Sequence, residues 1–182
     1  MTLQVYNKQD FFHQKTDALN QLIENVFPLC KGIAFRYCKT DEQANEWTKH
    51  CFLSALKELL TKESEEFNDD IFTKQFIICL IKKILENRTG ELIADTTIVS
   101  VFRKKEANLF ANSEYYKNLS PEELIQHIRK LNTLQQVIFN MIVLDGFSVQ
   151  ETASIIQHNE LSVKALIEKA RYNVFSSIKS IV

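Results

Sequence analysis

"DGFSVQETASIIQHNELSVKALIEKAR", from Asp145 to Arg171, has the spacing of a helix, a tight turn and a second helix. Ser148 with Glu151 three residues on is the S-x-x-E capping box that opens a helix. Val149, Ala153 and Ile156 then recur on one helical face. "QHNE" (Gln157–Glu160) supplies the turn, and Asn159 is a good N-cap for the next helix. From there Val163, Leu166, Ile167, Ala170, Val174 and Ile178 form an unbroken apolar stripe. The opposite face carries Glu160, Ser162, Lys164, Ala165, Glu168, Lys169 and Tyr172. A helix packed on one side and polar with short side chains on the other suits the DNA major groove, which is about 12 Å wide. Helical hairpins of the same spacing also serve as plain packing units, so the pattern alone leaves both readings open.

The segment just before it is helical too. In "LSPEELIQHIRKL", Ser120 caps, Pro121 takes the first helical position, and Glu122 and Glu123 meet the positive end of the helix dipole. Leu124, Ile125, Ile128 and Leu131 make its apolar face. A further helix is expected over Thr133–Leu144, ended by Asp145-Gly146, since glycine takes positive φ without strain.

The N-terminal half reads the same way. Leu19, Leu22, Ile23, Val26, Cys30, Ile33, Ala34 and Tyr37 fall at helical intervals. Pro28 predicts a kink there, or a break with a second helix starting near it. Thr40 is the expected N-cap of a following helix, with Gln43 three on. That helix presents Ala44, Trp47, Cys51, Ala55, Leu56 and Leu59, and "TKESEEFNDD" (Thr61–Asp70) after it reads as a solvated loop. A third helix, Ile71–Asn87, is apolar around much of its girdle and is expected to be central, with Gly90 as a stop signal.

Composition agrees with an all-α fold. The 182 residues include 3 glycines and 2 prolines, and helix interiors exclude both types. The expected architecture is an N-terminal helical bundle (1–90), a linker (91–119) and a C-terminal helix-turn-helix domain (120–182). The linker holds the β-branched "TTIVSVF" (Thr96–Phe102) and the basic triplet Arg103–Lys105.

Net charge is −1, with 12 basic and 13 acidic groups in residues 1–90 and 10 of each in 91–182. No global basic field pulls the chain onto nucleic acid, so local patches or a partner must supply the attraction. Cys30, Cys38, Cys51 and Cys79 form no C-x-x-C pair. They are expected to be reduced thiols on helix core faces, not metal ligands. The longest purely apolar run, Phe76–Ile81, is too short to span a bilayer, and no signal peptide is visible, so a cytoplasmic location is expected. His13, His50, His127 and His158 have no nucleophile or metal partner nearby in sequence, and three glycines make no phosphate loop. Neither an enzyme nor a cofactor is expected.

Beyond layout, Leu131–Arg171 resembles the C-terminal, promoter-reading domain of bacterial RNA polymerase sigma factors of the extracytoplasmic-function group. The residues that carry the resemblance are Leu131, Ile138-Phe139, Asp145-Gly146-Phe147-Ser148, Glu151-Thr152-Ala153, Ser162-Val163-Lys164-Ala165 and Lys169-Ala170-Arg171. "RYCKTDEQANEWTKHCFLSALKEL" (Arg36–Leu59) resembles the family's helix that grips the polymerase clamp, with Ala44, Glu46 and Phe52 in register. Phe72–Arg88 resembles its element that melts the minus-ten promoter region.

The resemblance implies a sigma-like transcription initiation factor, with core RNA polymerase and promoter DNA as partners and an anti-sigma factor as a further candidate. It implies polymerase docking through Glu46, Lys49, His50 and Leu53. It implies minus-ten contacts from Lys82, Lys83 and Arg88, with Phe72 and Phe76 expected in the core rather than as stacking platforms. The minus-thirty-five groove would meet Asn159, Ser162, Lys164, Ala165, Glu168, Lys169 and Arg171, with an internal salt bridge as the competing role of Arg171.

The chain also departs from the family. Leu131-Asn132 replaces Leu-Pro, Leu134 and Gln136 replace arginines, and Gln157 replaces the turn glycine. Leu166 stands for a usual Arg, Glu168 for a commonly basic or polar residue, and Lys49-His50 for Gln-Glu. Each lost cation removes a phosphate contact and lowers the salt slope by about one. The alternative reading is therefore a protein-interaction module that keeps the fold and has lost promoter reading.

Overall fold

Few glycines and prolines, strong caps and apolar stripes give an all-α fold. The computed structural model describes residues 4–12, 16–62, 64, 66–87 and 120–179. The chain divides into two compact units, with the division between Ile84 and Leu85.

The first unit contains β1 (Val5–Asn7), α1 (Lys8–Phe12), α2 (Thr16–Tyr37), α3 (Asp41–Leu60), β2 (Glu66–Asn68) and α4 (Asp69–Glu86). Thr40 caps α3 as its sequence predicts: its Oγ1 accepts from the Gln43 N–H at 3.2 Å. Gln43 reaches back one residue further than a standard capping box, to the Lys39 N–H at 3.1 Å. α4 buries Phe72, Phe76, Leu80 and Ile84 along one side and Ile77 and Ile81 on another, as expected of a central helix.

One alternative is excluded and one expectation is corrected here. α2 is continuous through Pro28, so the break with a second helix starting near it does not occur. Both Pro28 and Glu24 are exposed, on a side of α2 where water can satisfy a carbonyl that loses its helical donor. The Thr61–Asp70 stretch is not simply a loop. Within it, β2 pairs antiparallel with β1, in the register Tyr6 opposite Phe67.

That short ribbon puts one large aromatic from each strand inward, where Tyr6 and Phe67 stack at 5.4 Å. Phe67 continues to Phe72, Phe72 to Phe52 and Phe52 to Phe27, an aromatic chain that ties the ribbon to the bundle. The Tyr6 hydroxyl donates to Asp69 at 2.9 Å and accepts from Asn25 at 3.2 Å. Burial pushes its pKa up to about 12. Lys8 is also buried, and its ammonium donates to the Lys62 carbonyl beyond the C-terminus of α3 at 2.6 Å.

The second unit contains α5 (Pro121–Arg129), α6 (Thr133–Phe139), a π-helical turn (Asn140–Leu144), α7 (Val149–Ile156) and α8 (Glu160–Lys179). Ser120 and Glu123 complete the capping box of α5. The single helix expected over Thr133–Leu144 changes register at Asn140. The Asp145 N–H bonds the Asn140 carbonyl at 2.9 Å, five residues back, and the Phe147 N–H bonds the Met141 carbonyl. Gly146, at φ 73°, then turns the chain so that Phe147 enters the core.

The core here is Ile128, Val137, Ile138, Phe139, Met141, Ile156, Val163, Ile167 and Val174. Cys30, Cys51 and Cys79 are buried on the core faces of α2, α3 and α4 and Cys38 just past α2, and none of the four forms a disulfide. The "TTIVSVF" stretch, the Arg103–Lys105 triplet and Gly90 lie outside the described residues.

Candidate nucleic-acid interface

The α7–turn–α8 hairpin is set by its end groups. The Ser148 Oγ accepts from the Glu151 N–H at 3.1 Å, and the Glu151 carboxylate accepts from the Ser148 N–H at 2.7 Å. At the other end, the His158 N–H bonds Ala153 O at 2.9 Å and the Gln157 N–H bonds Ser154 O at 3.4 Å. Those are the two bonds of a Schellman motif. The motif needs one left-handed residue, and Gln157 takes it at φ 57°, ψ 43°. Two residues later the Asn159 Oδ1 accepts from the Ser162 N–H at 2.8 Å and starts α8.

The apolar stripe of α8 packs as the spacing predicts: Val163, Leu166, Ile167, Ala170, Val174 and Ile178 are all buried. The outer side is solvent-accessible. Leu161 is 78 % exposed, Lys164 is exposed, and Ser162, Ala165, Glu168, Lys169 and Arg171 are half-buried. Its charges are largely matched. Lys164 lies 3.9 Å from Glu160, and Arg171 donates to Glu168 at 2.8 Å. Three cations (Lys164, Lys169, Arg171) against two carboxylates (Glu160, Glu168) leave +1 on this face.

Asn159 spends its side-chain oxygen on the cap, so only its amide NH2 remains to reach outward. Leu161 is the one prominent outer residue that sequence reading missed. Its signal was its place in the first turn, off the apolar stripe.

The departures from the family's arginines have a structural counterpart. Leu134, Gln136 and Leu166 are all buried. These positions serve the packing of α6 and α8 and present nothing to a ligand.

In the first unit, Glu46, Lys49, His50 and Leu53 fall at i, i+3, i+4 and i+7 of α3, and all four are exposed, Leu53 by 65 %. Leu53 also lines an apolar cleft of about 350 Å³ with Phe12, Leu56 and Leu60. Phe12, 59 % exposed, was not singled out by sequence, because nothing in the sequence tied α1 to α3.

The α4 lysines are engaged. Lys82 lies 3.4 Å from a Glu58 carboxylate oxygen, and the Lys83 ammonium sits 5.9 Å over the Trp47 ring. Glu58 also accepts from Gln75 at 2.6 Å, and burial raises the pKa of the neighbouring Cys79 thiol. Phe72 and Phe76 are fully buried, in agreement with a core role. Arg88 lies outside the described residues. No helix among the described residues is long and apolar enough to cross a membrane.

No protein-family model matches the chain, and no curated protein does. Among solved structures the chain is similar to the sigma factor RpoE from Bartonella quintana, crystallised in complex with the anti-sigma factor NepR. The identity is 16 %, over 88 % of this chain and 96 % of that one, with a TM-score of 0.58. The likeness is one of fold: this chain has a distant sigma-factor-like architecture.

Proposed function

We propose that the chain is a sigma-like transcription initiation protein that brings core RNA polymerase to promoter DNA. The observation that carries this reading is a capped helix-turn-helix whose second helix keeps its outer side open to solvent, within a sigma-like fold. In this reading α8 enters the minus-thirty-five major groove. Ser162 and Ala165 approach base edges, and Lys164, Lys169 and Arg171 approach phosphates. The exposed α3 face of Glu46, Lys49, His50 and Leu53 docks on the polymerase. Lys82, Lys83 and Arg88 serve the minus-ten strand. Because +1 on the α8 face is a weak electrostatic anchor, the polymerase supplies most of the binding free energy.

A second reading has its own support. Glu160 and Glu168 already hold Lys164 and Arg171, which suits a module that binds polymerase or a regulatory protein and no longer reads DNA. Binding of fluorescent duplexes, titrated with salt in the presence and absence of core polymerase, separates the two. The first reading expects duplex binding that appears or tightens with core and weakens steeply with salt. Absence of duplex binding in both conditions, even at low salt, leaves the second.

A further inference from the structure

Lys169, Asn173 and Ser176 lie at i, i+4 and i+7 of α8 and form one polar stripe. This stripe lines a cleft of about 400 Å³ together with His127 and Lys130 at the end of α5, Leu131 and Asn132 between the helices, and Gln135 on α6. None of the lining residues is acidic. The lining is tied together: Asn173 donates to Gln135 at 2.9 Å, and His127 Nδ1 shares a 2.8 Å hydrogen bond with the Ser177 hydroxyl.

The two lysines differ from several other cations of the described residues. Lys62, Lys82, Lys164 and Arg171 each have an amide or carboxylate partner. Lys130 reaches only the Ser177 hydroxyl, at 3.5 Å, and neither Lys130 nor Lys169 has a carboxylate partner among the described residues. Two lysines at one cleft whose lining holds no carboxylate among the described residues make an anion site.

We propose that this cleft binds a phosphate group. A tetrahedral oxyanion accepts on all sides, which suits a cleft lined by two lysines, side-chain amides and the Ser176 hydroxyl. The volume exceeds that of a bare phosphate, so an ester substituent can leave through the open side. Burial first and then the charge of Lys130 hold the His127 pKa below its ordinary value, against the opposing charge of Glu123. Lys169 lines this cleft. The site stands on the cleft residues alone and does not depend on promoter reading.

The test is a two-dimensional 1H–15N NMR titration of the full chain with inorganic phosphate, against chloride at matched ionic strength. Saturable shifts at Asn132, Gln135 and Asn173 with phosphate alone are expected. The Lys130→Ala/Lys169→Ala double variant should bind about tenfold more weakly, while Lys31→Ala on α2 binds as the parent does. Unchanged α7 signals confirm that the double variant is folded. Duplex DNA added to the phosphate-loaded protein identifies the source: displacement assigns the site to a nucleic-acid backbone phosphate, and retention assigns it to free phosphate compounds. Either result keeps the site. No saturable shift, shifts equal to those with chloride, or undiminished affinity in the folded double variant overturns it.

Discussion

Gln157→Gly isolates the strain in the turn. Gln157 sits at φ 57°, and the left-handed region costs a residue with a Cβ roughly 1–2 kcal/mol. Glycine removes that cost but loses more backbone freedom on folding, which offsets about 0.5–1 kcal/mol. The net gain is about 0.5–1 kcal/mol. For a helical unit of this size, 1 kcal/mol moves the melting temperature by about 4–8 °C. The second unit should therefore melt about 2–8 °C higher. Far-UV circular dichroism follows the change, and Trp47, the sole tryptophan, lies in the first unit and serves as an internal reference that should not move. Gln157→Val, β-branched at the same φ, should move the transition the other way. A lower melting temperature for Gln157→Gly, or an equal rise for Gln157→Val, would refute the reasoning, since neither is compatible with a strained Schellman residue.

Three further outcomes are expected. Phe76→Ala empties a fully buried site and should cost about 3–5 kcal/mol in urea unfolding followed by Trp47 fluorescence; full stability with selective loss of single-strand DNA binding would restore a stacking role. Glu168→Gln releases Arg171 from its 2.8 Å bond and removes a negative charge from the α8 face. The logarithmic salt dependence of duplex binding should steepen by about one; an unchanged slope places that face away from DNA. Glu123 has its pKa lowered below 4.5, first by the Ser120 N–H and then by the Ser120 hydroxyl. A depressed carboxylate contributes stability that is present above pH 4.5 and lost as pH falls through its lower folded value. Glu123→Gln should therefore flatten the acid side of the stability profile, and an unaltered profile argues against the carboxylate's role in the capping box.

The helix ends were legible because their chemistry is local. S-x-x-E at Ser148 and Ser120, Thr40 and Asn159 each act within three residues, and the structure has each of them capping. The apolar stripe of α8 was legible because its period is unbroken. The β1–β2 ribbon was not, because three-residue strands are too short to show alternation, and the acidic residues around Phe67 mask the one position that faces inward. The π turn was hidden because Ile138–Leu144 keeps an apolar pattern that an α-helix would also give. Only the backbone bond from Asp145 to Asn140 distinguishes them. In the candidate interface, the Glu160–Lys164 pairing follows from i,i+4 spacing and could have been read. The cleft around Lys130 and Lys169 could not, since it joins residues 127–135 to 169–176 only after packing.

Transcription by core RNA polymerase on a pooled library of duplexes, with and without the full chain, tests the sigma-like role most directly. The account predicts that adding the chain creates start sites at a restricted set of sequences, and that Leu53→Asp on the exposed α3 face abolishes them. Identical start sites with core alone and with core plus folded chain would contradict it.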